Sequence, residues 1–63
     1  MKYLEIKHAI EVCGFRQSDI AKEFEVSTTA VSLVVKKAGK SRRIQNRICE
    51  IIGKSFDEVW TED

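Results

Sequence analysis

Proline is absent from this 63-residue sequence, and glycine occurs only at Gly14, Gly39 and Gly53. Three isolated glycines and no proline favour helices punctuated by turns over a sandwich of many short strands. No apolar run approaches the roughly 18 residues of a membrane span, and the opening MKYLEIKHAI alternates charged with apolar groups, unlike a secretory leader. A cytoplasmic protein without membrane contact is therefore expected. Cys13 and Cys49 are far apart and neither lies in a CxxC pair, so spacing supports neither a zinc knuckle nor a thioredoxin-like couple; both are expected to be small packing residues. The one histidine, His8, has no second histidine to work with.

Also missing are a nucleophile with its base, a paired-carboxylate site, a metal-ligand cluster and a phosphate-cradling glycine loop. A chain this short forms one domain, taken as residues 1–63, and a domain of this size buries only about 60% of its unfolded surface, which leaves little room for an enclosed catalytic pocket. The expectation is a non-enzymatic protein with no cofactor, no metal and no evident small-molecule ligand.

Negative charge is absent from the middle of the chain. Residues 26–49 hold Lys36, Lys37, Lys40, Arg42, Arg43 and Arg47 with no acid, a local charge of +6, while residues 1–25 carry −1 and residues 50–63 carry −4. The formal total of +1 conceals this basic segment. Cations placed on backbone phosphates release condensed counterions, so the segment suits an anionic polymer; a solvated face with no partner is the competing explanation.

Apolar periodicity divides the chain into helices. Tyr3, Ile6, Ile10 and Cys13, with Ala9 beside them, mark one face of a first helix that Gly14 ends. Ile20, Ala21 and Phe24 mark a second over Gln17 to Phe24, and Ser27 is placed to cap a third. That third segment, TTAVSLVVKK, is rich in β-branched residues and competes as a strand, but 100° spacing sends Ser27, Ala30, Val31, Val34 and Ala38 to one side and Thr28, Thr29, Ser32, Leu33 and Lys36 to the other. After a break at Gly39 and Lys40, Ser41 can cap a fourth helix with Ile44, Ile48, Ile51 and Ile52 inside. Gly53 closes it, and Ser55 with Glu58 forms a capping box for a last turn ending near Trp60, with Phe56, Val59 and Trp60 closing the core. The predicted fold is all-α, a compact domain of four to five helices.

Two short helices joined by a three-residue turn, with the small Ala21 at the crossing and a polar outer face on the second, make a helix-turn-helix. Gln17 opens it, and Ile20, Phe24, Val26, Val31 and Val34 supply its interior. The stretch QSDIAKEFEVSTTAVSLVVK resembles the lambda-repressor-like family of helix-turn-helix DNA-binding domains, to which the phage Cro and repressor proteins belong. The tail RICEIIGKSFDEVW is similar to the end of the small Ner-type phage regulators, in which a helix, a turn and a Val-Trp element complete five helices. Two positions depart from the pattern. Glu25 stands where a left-handed glycine is usual, at about 1 kcal/mol if that conformation is kept, and Arg16 stands where a Ser or Thr cap is usual, leaving Ser18 to cap.

The resemblance implies a regulator, most simply a repressor in a bacterial cell or phage-infected host, that binds double-stranded DNA as a homodimer or as tandem monomers. It implies base reading in the major groove by Thr28, Thr29 and Leu33 with Ser27 and Ser32 beside them, phosphate binding by Gln17, and a backbone grip by Lys36, Lys37, Lys40, Arg42 and Arg43, with Lys37 and the more distant Arg47 as weaker contacts. Hydroxyls can donate to or accept from base edges, and the Thr and Leu methyls can touch a thymine methyl. The competing class is a small helical protein-interaction module, with Leu4, Val12, Val35 and the acidic C-terminus lining a partner surface.

Overall fold

The computed structural model describes residues 1–60; the last three residues of the expected domain, with the acids Glu62 and Asp63, lie outside the described residues. Five helices follow one another: α1 (Tyr3–Val12), α2 (Gln17–Phe24), α3 (Thr28–Val35), α4 (Arg42–Ile52) and α5 (Phe56–Trp60). No strand occurs among the described residues, so the β-branched TTAVSLVV segment is helical. The reason is tertiary: Val31, Val34 and Val35 form one stripe and all are buried, which outweighs the weak helix propensity of valine.

Each helix contributes at least one side chain with no solvent contact: Ile6 and Ile10 from α1, Ile20 from α2, Val31 and Val35 from α3, Ile48 from α4 and Val59 from α5. Phe15, Phe24 and Phe56 pack around this centre while keeping part of their rings exposed. Trp60 closes the far end, its indole Nε1 donating to the Gln45 carbonyl at 3.2 Å and its ring 6.4 Å from that of Phe56. The α-amino group of Met1 donates to the carbonyls of Glu58 and Val59, joining the start of the chain to α5.

The helix ends are built locally. Ser27 Oγ accepts from the Ala30 N–H at 3.2 Å, as its position predicts. Ser55 and Glu58 form the expected reciprocal box, in which the Ser55 backbone N–H, ahead of its hydroxyl, holds the Glu58 carboxyl below the usual carboxylate range. That contribution to stability is present above the ordinary carboxylate pKa and fades as the pH falls through the lowered one. Gly14 and Gly53 are left-handed, at φ 85° and 70°, and end α1 and α4.

Five local expectations are corrected. The start of α2 is satisfied by Asp19, whose carboxylate accepts from the Arg16 N–H at 2.9 Å, and not by Ser18. Ser41 is the residue before α4, but its side chain makes no capping bond. Ala38, expected on the inner side with Val31 and Val34, is exposed, because α3 stops at Val35 and left-handed Lys37, at φ 64°, turns the chain away. Cys13 is exposed: α1 stops at Val12, and left-handed Gly14 brings Phe15 back onto the core instead. Val26, expected inside, is 41% exposed at the corner, where its N–H donates to the Ala21 carbonyl.

Glu25 adopts the left-handed conformation, φ 55° and ψ 42°, that a glycine would adopt without penalty. Glu25→Gly is expected to raise the unfolding free energy by about 0.5–1 kcal/mol, seen as a higher denaturant midpoint at unchanged slope. Trp60→Ala is expected to remove about 3–5 kcal/mol, a large part of what so small a core provides, and to leave a strongly lowered or non-cooperative melt in the same titration.

Candidate nucleic-acid interface

The residues expected to read bases do share one side of α3. Positions 28, 29, 32 and 33 are spaced i, i+1, i+4, i+5, so their side chains follow one face over a rise of about 7.5 Å. Thr28, Thr29 and Leu33 are exposed and Ser32 is half-buried. Leu33 is 45% exposed, an apolar side chain directed away from the core beside polar neighbours. Ser27 is exposed as well, but its oxygen already accepts the Ala30 N–H, so one lone pair and its hydroxyl proton remain for another partner.

Gln17 is the first residue of α2 and lies at a cleft of about 350 Å³. Tyr3, Lys7, Ile10 and Glu11 of α1 form one wall, and Arg16, Gln17 and Ser18, together with Thr28 at the start of α3, form the other. The fold thus brings residues from the first turns of α2 and α3, where the positive ends of the helix dipoles lie, to the same concavity. Lys7 and Arg16 add cations on its rim and were not foreseen. Both fall in the segment whose charges sum to −1, so counting by segment hid them; only the packing of α1 against the start of α2 reveals them.

The expected phosphate-gripping residues do not form one cluster. Lys36 Nζ lies 5.5 Å from the Tyr3 ring centroid, toward α1. The Arg42 guanidinium lies 4.0 Å from the Phe56 centroid, toward α5, and that of Arg43 lies 5.3 Å from Phe24, toward α2. Lys40 is exposed in the loop between α3 and α4, and Lys37 is half-buried just after α3.

Arg47 differs from all of these. Its Nε donates to Glu23 Oε1 at 2.8 Å and its Nη2 to Glu23 Oε2 at 3.3 Å, a two-pronged pair that ties α4 to α2, with Glu50 3.9 Å away. The hydrogen bond to Glu23 is the main cause of its raised pKa. Among the described residues no polar or charged side chain is buried, no group of three His, Cys, Asp or Glu is placed to hold a metal ion, and no helix is long and apolar enough to cross a membrane. Burial pushes the Cys49 thiol pKa up, which keeps it in the unreactive thiol form.

Compared with protein-family models, curated proteins and solved structures, the chain matches none of them.

The Glu23 pair makes Arg47 a fastening between helices. Arg47→Ala is expected to lower the melting temperature, and the difference from the parent protein is expected to shrink in high salt, as thermal denaturation at two ionic strengths would show.

Proposed function

We propose that this protein is a sequence-specific, double-stranded-DNA-binding transcriptional regulator, a repressor that occludes a promoter in the cytoplasm of a bacterium or phage-infected host. In this reading α2 and α3 are its helix-turn-helix, and α3 enters the major groove. The observation that carries it is the outer face of α3. Thr28, Thr29 and Leu33 are exposed there with Ser32 at the margin, and together they supply donors, acceptors and methyl groups of the kinds that base edges match. The close α2–α3 corner, with left-handed Glu25 and capped by Ser27, sets the direction of that face. Gln17 at the cleft and the exposed Lys36, Lys40, Arg42 and Arg43 supply phosphate contacts, which fix register without reading sequence.

A protein-interaction module is the second reading, and one observation favours it: Leu4 and Val12 are each 71% exposed and lie eight residues apart on the outer side of α1. Val35, expected on that surface, is fully buried and does not contribute to it. Salt separates the two readings. Binding through several phosphates weakens steeply between low and moderate salt, whereas an apolar protein contact does not.

Selection from a randomised duplex pool at two salt concentrations tests the proposal, and an enriched motif with inverted or direct half-sites would decide between a homodimer and tandem monomers. On the selected duplex, Thr28→Ala and Thr29→Ala are each expected to cost about 1–3 kcal/mol of discrimination at one base position while non-specific affinity holds. Lys40→Ala is expected to weaken all duplexes alike and to lower the salt slope by about one. Identical behaviour of the three variants in salt-matched anisotropy would overturn this division of roles.

A further inference from the structure

Consecutive helical residues point about 100° apart, so Arg42 and Arg43, the first two residues of α4, leave its axis in different directions. Each meets an aromatic ring on a different neighbour: Phe56, the first residue of α5, at 4.0 Å from the Arg42 guanidinium, and Phe24, the last residue of α2, at 5.3 Å from that of Arg43. Both distances lie within the roughly 6 Å over which a ring face attracts a cation. Nothing in α4 itself favours these charges. Its first turn carries no acid, and cations at a helix N-terminus stand against the positive end of the macrodipole.

Arg47 supplies the contrast within the same helix. It also lies near a ring, 5.6 Å from Phe15, but its Nε and Nη2 donate to the Glu23 carboxylate, which neutralises it. Among the described residues no carboxylate pairs with Arg42 or Arg43. A ring attracts a guanidinium without cancelling its charge, whereas a carboxylate takes its N–H edge and neutralises it. Arg42 and Arg43 are thus restrained without being neutralised, and both remain exposed.

We infer that Phe24 and Phe56 are positioning residues for DNA backbone binding, each holding one guanidinium of the Arg42–Arg43 pair over its ring with the N–H edge free for a phosphate. The inference rests on the nucleic-acid reading above and assigns these two rings a role beyond core packing. Holding the side chains before contact reduces the ordering that binding would otherwise require.

The test uses Phe24→Leu and Phe56→Leu, which keep apolar bulk but remove the ring, and Phe24→Tyr and Phe56→Tyr, which restore it. Without DNA, the side-chain methylene protons of Arg42 and Arg43 are expected to resonate upfield through the ring current, to lose that shift in the matching Leu variant and to regain it with Tyr. With duplex, each Leu variant is expected to weaken binding roughly two- to tenfold at equal salt through the added cost of ordering the side chain, with the slope of log affinity against log salt kept because the charge remains, whereas Arg42→Ala and Arg43→Ala lower that slope by about one. Tyr restores the affinity, and Phe15→Leu, beside the neutralised Arg47, leaves it unchanged. Where a Leu variant melts below the assay temperature, Met takes its place. Missing ring-current shifts in the parent protein would overturn the positioning. So would parental affinity in both Leu variants when the Arg variants bind more weakly. A parent protein that binds no duplex at any salt would overturn the nucleic-acid reading and the inference with it, an outcome separate from the first because the shifts are read without DNA.

Discussion

Between Phe24 and Thr28 the chain has three residues in which to stop one helix, turn and start the next, and most of the domain's geometry follows from how it does so. Left-handed Glu25 reverses the backbone, the Val26 N–H returns to the Ala21 carbonyl, and Ser27 caps α3. Ala21, at the crossing, has no bulk to hold the helices apart. With that corner set, Val31, Val34 and Val35 face inward, and Thr28, Thr29 and Leu33 face out. A glycine would make the same corner more cheaply, so the strain at Glu25 is borne by the packing on either side of it.

The second organising feature is the choice of partner for each cation. In α4, Arg47 meets a carboxylate while Arg42 and Arg43 meet rings. The first arrangement removes a charge from the surface field and ties two helices together. The second leaves the charge in place and limits only where it can go. A near-zero formal charge on the whole chain therefore says little about the field in front of the α3–α4 side.

Much of the fold was legible because its signals are local. Gly14, Gly53, the Ser27 cap and the Ser55–Glu58 box each depend on residues within three or four positions of one another, and a stripe such as Ile6–Ile10 or Ile44–Ile48 needs only a helical period. What escaped depends on contacts distant in sequence. Val35 is inside because α3 packs against α1, α2 and α4, Cys13 is outside while Phe15 packs on the core, and Lys7 and Arg16 share a cleft because α1 packs beside the start of α2. The outward face of α3 could be read from spacing, but the pairing of Arg42 with Phe56 and of Arg43 with Phe24 leaves no periodic trace.

Among the described residues no polar or charged residue is buried in the core, and none of Thr28, Thr29 and Leu33 belongs to it. Surface substitutions away from caps and strained positions usually change stability by no more than about 0.5 kcal/mol in either direction. The outer face of α3 is accordingly free to vary at little thermodynamic expense, and lineages carrying this scaffold can diversify what that face contacts while the apolar interior stays the same.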